Sequence, residues 1–303
     1  MPCPLHVRRL VAAVSAILLV TLTSAGGAAH AVGPSQERGL LITPVRQYTS
    51  LNAGAQKTTS FTVANLTSKP ITIKLAVKQF SVTDYVYDYR FEDPDNNWVK
   101  LSVPQVFVKS GESRKVAYTI SVPAKSAPGG HYYTLFASTD LSDAGLQGTL
   151  RAASLLYVTV NGKLVQTSRL QRASIQRVVF GRQIPYTVDI LNTGNVHYFA
   201  YVSGRLHGPT AKPSDEATHL LLPKKVRRAS GTIPAPVLPG VYKATYGYRT
   251  DAEAATHQAS ALVLYVPTWS MAAALLLLLA GLKMYQRTAR PRAGRRHNKP
   301  DER

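Results

Sequence analysis

Cysteine is almost missing from this chain: Cys3 is the only one among 303 residues. One thiol near the start closes no disulfide, builds no zinc-thiolate site and offers no nucleophile to the body of the protein. Acidic residues are scarce too, 16 Asp and Glu against 36 Lys and Arg, for a net charge of +20. G-x-S-x-G, H-E-x-x-H, the P-loop and the dinucleotide fingerprint are all missing. The histidines between the two ends, His131, His197, His207, His219 and His257, show no metal-ligand spacing. No stretch between the ends keeps a helical period over three turns. These absences exclude most catalytic and metal chemistry. The expectation is a protein with no cofactor and no metal that is not an enzyme.

Two apolar runs are present, one at each end. Residues 1–31 carry Arg8 and Arg9, the run Leu10 to Leu22 and the close Ala29-His30-Ala31. That is the charge, length and small-residue ending of a secretory signal peptide, with cleavage expected after Ala31. Residues 267–285 read PTWSMAAALLLLLAGLKMY, which as a helix would span about 28 Å, the thickness of a bilayer core. Trp269 and Tyr285 stand where interfacial aromatics belong. The basic stretch 286–303 would then stay cytoplasmic and serve as a topology signal, leaving the body of the chain outside the cell membrane. A tail with no fold to present it gives no reason to expect a nucleic-acid partner.

Between the ends the sequence alternates with the period of half-buried strands. Ile71, Ile73, Leu75 and Val77 alternate with Thr72, Lys74, Ala76 and Lys78. Val116, Tyr118, Ile120 and Val122 repeat the pattern, as do Ile184, Tyr186, Val188 and Ile190. An internal repeat is visible. Val122-Pro123-Ala124 followed by Pro128-Gly129-Gly130-His131-Tyr132 matches Ile233-Pro234-Ala235 followed by Pro239-Gly240-Val241-Tyr242. Phe61-Thr62-Val63 before Asn65-Leu66-Thr67 matches Tyr186-Thr187-Val188 before Asn192-Thr193-Gly194. Short strands with Gly, Pro and Asn turns, repeated at roughly the length of one sandwich, predict an all-β fold: two immunoglobulin-like antiparallel β-sandwich domains in tandem, at 38–161 and 162–266. Tyr132 and Tyr242, each just after a Pro-Gly turn, are expected as tyrosine corners.

Two clusters are candidate binding residues. Tyr85, Tyr87, Tyr89 and Phe91 would share one face of an extended segment, with Trp98 close by. Such a row either packs inward or stacks on sugar rings. Lys224, Lys225, Arg227 and Arg228 form the densest basic cluster. It either contacts an anionic polymer or guards an exposed strand edge. Asp93, Asp95 and Asn97 begin like a calcium loop, but Trp98 replaces the required Gly, and a hairpin turn explains the segment better.

The order of parts resembles the bacterial WxL-interacting proteins. The residues that carry this are Gly111-Glu112-Ser113 and Pro128-Gly129-Gly130 in the first half, and Asn192-Thr193-Gly194-Asn195-Val196-His197 and Leu222-Pro223 in the second. The resemblance implies an envelope scaffold whose first module meets peptidoglycan and whose second meets a secreted surface protein. The expected function is therefore a single-pass cell-surface protein that binds cell-wall polymer, another surface protein, or both. An envelope glycan hydrolase and a structural stalk of a membrane complex are its rivals.

Overall fold

In the computed structural model, residues 39–140, 148–208, 213–252 and 256–288 are described. The expected signal peptide and all but the start of the basic tail lie outside them. In chain order the first half contributes β1 (Leu40–Thr43), β2 (Arg46–Leu51), β3 (Gln56–Asn65), β4 (Ile71–Val82) and β5 (Tyr89–Glu92). It continues with β6 (Val99–Leu101), β7 (Gln105–Val108), β8 (Ser113–Ser121), β9 (Gly129–Asp140) and β10 (Thr149–Val160). The second half contributes β11 (Ser168–Ile175), β12 (Val178–Val179), β13 (Gln183–Asn192) and β14 (Tyr198–His207). Then come β15 (Ala217–Leu221), β16 (Val226–Pro234), β17 (Gly240–Thr250), β18 (His257–Tyr265) and one helix, α1 (Thr268–Thr288).

The strands form four sheets in two facing pairs. Sheet order β1-β3-β8-β6 faces β2-β10-β9-β4-β5, with β7 also on β4. Sheet order β11-β13-β16 faces β12-β18-β17-β14-β15. The first strand of each pair changes sheets part-way: β1 runs antiparallel to β3 and β2 parallel to β10, while β11 runs antiparallel to β13 and β12 parallel to β18. The alternation expected for strands is met at β8, where Val116, Tyr118 and Ile120 are buried in the first core. It is met again at β13, where Ile184, Tyr186, Val188 and Ile190 are buried in the second. Burial of apolar side chains between facing sheets is the main stabilising term in such a layered fold.

Both pairs hold a buried Asn at the same place. Asn65 ends β3 and donates from Nδ2 to Lys69 O at 2.8 Å and Val108 O at 3.0 Å. Asn192 ends β13 and donates to Val196 O at 3.0 Å and Leu221 O at 3.1 Å. Each Oδ1 accepts the backbone N–H two residues on, at Thr67 and Gly194, closing an Asx turn. This equivalence corrects the alignment read from the sequence. With the two Asn superposed, Val188, not Tyr186, stands in the place of Phe61. The slip is two residues, one strand period, so both side chains still point inward and the pattern gave no warning.

Candidate functional site

The two candidate clusters meet each other. Tyr85 and Tyr87 do not lie on an extended strand: both sit in the turn between β4 and β5 with φ of +66° and +67°, a region costly for a residue with a Cβ. The turn pushes Tyr87 into a buried position, where its hydroxyl oxygen accepts the Leu222 N–H at 2.5 Å. Burial pushes the Tyr87 hydroxyl up to about 12, against the opposing pull of that hydrogen bond. The Arg227 guanidinium lies 4.3 Å over the Tyr87 ring and that of Arg228 lies 5.0 Å over Tyr85. The backbones join as well. Tyr85 N–H donates to Val226 O at 2.8 Å, Arg228 N–H to Tyr85 O at 3.2 Å, and Val226 N–H to Asp84 Oδ1 at 2.8 Å.

Tyr85, Tyr87, Arg227 and Arg228 are thus each other's partners across the two sheet pairs, so the expected separate glycan and polymer surfaces are corrected. Arg228 also forms a two-pronged bond to the buried carboxylate of Asp189, at 2.7 and 2.8 Å. Arg228→Gln, which leaves the buried Asp189 carboxylate without its cation, should lower the midpoint in a chemical denaturation series. A fully buried pair would lose more, but Arg228 is 44% exposed. Lys224 turns back on its own half, with its Nζ donating to Thr193 O at 2.8 Å, while Lys225 is half-buried. Trp98 packs on the first core with its ring 4.2 Å from His131. Tyr89 and Phe91, on β5, remain exposed and stacked on each other.

A second junction surrounds His197. The rings of Tyr157, Tyr132 and Tyr48 lie 5.1, 5.5 and 5.8 Å from it, and Tyr132 OH stands 3.3 Å from Nδ1. Burial in this cage pulls the imidazole down to about 4. Tyr132 is therefore spent on the junction, and only Tyr242 is a tyrosine corner, donating to Leu238 O at 2.9 Å. Nearby, Gly130 N–H donates to Asn195 O at 2.9 Å, and Asn195 Nδ2 donates to Pro128 O and Lys163 O. Gly129 has φ +149°, and a Cβ there would come within 2.8 Å of Asn195 O.

What the junction leaves open is the rest of the outer face of the β2-β10-β9-β4-β5 sheet. Two cross-strand rows there read Arg151, Ser138, Lys74, then Ala153, Phe136, Ala76; in the next, Leu155, Thr134, Lys78, the first two residues are already buried. Ala76, Lys78, Phe91, Phe136, Ser138 and Arg151 line a groove of about 470 Å³. Phe91 meets Phe136 edge to face at 4.9 Å, and Lys78 pairs with Asp93 at 2.6 Å. The edge beside the groove is also open. Leu155 N–H donates to Val45 O and is the first β10 residue that β2 reaches. Arg151 and Ala153, in step with Leu155, point their backbone groups to the same edge, and no strand pairs there among the described residues.

No family model matches the chain, and no curated protein matches it. Solved structures similar to it include the class 5 fimbriae chaperone CfaA, at 14% identity over 76% of this chain and 100% of that one, with a TM-score of 0.38. The CupB2 chaperone of Pseudomonas aeruginosa is similar at 9% identity over 74% of this chain and 100% of that one, with a TM-score of 0.36. A chain of the CsuC–CsuE chaperone and tip-adhesion-subunit complex of Acinetobacter baumannii gives 14%, 75% and 99%, with a TM-score of 0.38. The likeness is one of fold, all-β and immunoglobulin-like; among the described residues this chain also has one apolar helix, α1.

These comparisons correct three expectations. The similar chains are named as chaperones of fimbriae and pili, not as wall-binding or membrane-anchored proteins. Contact with peptidoglycan, with anionic wall polymer or with a secreted surface protein is withdrawn, as are the rival hydrolase and stalk. So is the single-pass cell-surface location, which rested on Thr268–Gln286 being long and apolar enough to cross a membrane, a matter of length and composition alone. Within the chain the same correction has a physical reason, since Tyr85, Tyr87, Arg227 and Arg228 are engaged at the junction.

Proposed function

We propose that this chain is a non-enzymatic, polypeptide-binding protein that receives an extended segment of another chain on the free edge of β10. On this reading the sheet pairs are two tandem immunoglobulin-like modules, 38–161 and 162–266, held by the junction so that the second module leaves the upper part of the first module's face uncovered. The supporting observation is the unpaired edge at Arg151 and Ala153, in line with β2 and beside an apolar groove. A strand added there gains main-chain hydrogen bonds for affinity and a face for its alternate side chains. The chaperones similar in fold give the reading its context, because CsuC is named in a pre-assembly complex with a pilus subunit. We propose kinship with the WxL-interacting proteins on the order of parts alone, without their wall-binding role.

Ala153→Pro tests the reading. Pro removes one edge N–H and leaves the β9 pairing intact, because Ala153 turns its backbone groups away from β9. Fluorescence anisotropy with labelled, reduced and carboxymethylated α-lactalbumin, a permanently unfolded chain, should show at least tenfold weaker binding to the variant at an unchanged melting temperature. The titration is run at high salt to suppress nonspecific attraction to a +20 protein. Equal binding by the variant and the parent protein would sink the proposal.

A further inference from the structure

The groove's side chains say what kind of segment it selects, given the strand-addition reading above. In the middle row Phe136 is flanked by Ala153 toward the β10 edge and by Ala76 toward β4. Ala153 projects no further than a methyl group. An added strand can therefore pass a side chain over Ala153 and set it on the Phe136 ring, with Phe91 as the far wall. One row away stand Arg151 and Lys74, with Ser138 between them. Neither cation is in an ion pair among the described residues, whereas Lys78 on the opposite row already holds Asp93. The groove is thus apolar on its floor and positively charged at one end.

We infer that the site is specific for an extended segment that presents an apolar side chain and, two residues away, an acidic one. Successive side chains of a strand alternate between faces, so residues i and i+2 fall on the groove side about 7 Å apart, the spacing of neighbouring rows. The apolar side chain fills the space over Ala153 and Phe136 as the anchor, and the carboxylate meets Arg151, whose guanidinium matches it in a planar fork. A basic residue at the second position would face Arg151 and Lys74 with like charge.

Three labelled synthetic nonapeptides test this on the full chain: alternating Thr-Leu-Thr-Glu, alternating Thr-Leu-Thr-Lys and alternating Thr-Ala-Thr-Glu. The first should bind at least tenfold tighter than either of the others. Ala153→Leu, which closes the way to Phe136, should weaken the first peptide at least tenfold. Arg151→Gln should bring the Glu and Lys peptides within about threefold of each other. Circular dichroism and the melting temperature of both variants confirm that they fold. If all three peptides bind alike and all are lost in Ala153→Pro, the edge accepts strands without the selectivity inferred here, and this assignment is overturned while the strand-addition reading stands. If Ala153→Pro binds every peptide as the parent protein does, the strand-addition reading itself falls.

Discussion

Asn192→Ala should cost about 3–4 kcal/mol of folding stability, more than the equivalent truncation at Asn65. The side chain is fully buried and serves three backbone groups at once. Its Nδ2 satisfies the carbonyls of Val196 and Leu221, and its Oδ1 takes the Gly194 N–H at 2.8 Å. Truncation leaves two carbonyls and an amide without their partners, each worth about 1–3 kcal/mol when buried, a loss that a single water entering the cavity would offset only in part. Collapse is blocked on one side, because Gly194 already sits so close to Val165 O that it has no room for a side chain. Asn192→Asp should be at least as harmful, since a carboxylate offers acceptors where two carbonyls need donors. Asn65→Ala should cost less, about 2 kcal/mol, because Lys69 and Thr67 in its network are nearer solvent. Urea midpoints measured at constant m-value check the ranking. Equal losses, or an Asn192 loss below about 1 kcal/mol, would show that the two Asx turns are not the anchors described.

That ranking marks where the sequence could be read and where it could not. Asn65 and Asn192 announce themselves as turn residues, and the alternation through β8 and β13 names core side chains correctly. In β4 the same alternation is right only part-way. Ile71, Ile73 and Leu75 are buried on one face, but Phe80 and Val82, on the other, are buried as well. Period alone cannot report this, because the outer face is covered there by Leu222 from a segment far away in the chain. Tyr85 and Tyr87 failed for a different reason: two left-handed residues turn the segment, and Tyr is among the residues least expected there. The basic cluster was visible as charge, but charge density does not say whether arginines face solvent or a tyrosine ring. The open edge at Arg151 and Ala153 had no signal at all. It exists because β2 first meets β10 at Leu155, a register that follows from where the first strand changes sheets.

Acid should weaken the fold through His197, and the direction follows from its burial. The folded cage holds the imidazole near 4, whereas an unfolded chain holds it near its ordinary 6.5. Above 6.5 neither state is protonated and the contribution is fully present. As pH falls toward 4 the unfolded state takes up the proton first, so stability is lost through that window and does not decline further below it from this group. The two values correspond to about 3 kcal/mol at most. His131 and His219 are shifted the same way by burial, so they add to the slope. His197→Phe isolates the share of His197: it keeps a ring among Tyr48, Tyr132 and Tyr157 but cannot take a proton. Denaturation curves at closely spaced pH values should show a flatter decline in the variant between pH 6.5 and 4, with nearly equal stability at neutral pH. The loss should appear first at the junction, because the charge would arise between Tyr132 and Tyr157, rings of the first half that pack against the second. Amide exchange at Gly130, whose N–H bonds Asn195 O, reports that opening directly. If Gly130 stays as protected at pH 4.5 as at neutral pH while global stability falls, the proton acts elsewhere and His197 does not hold the junction.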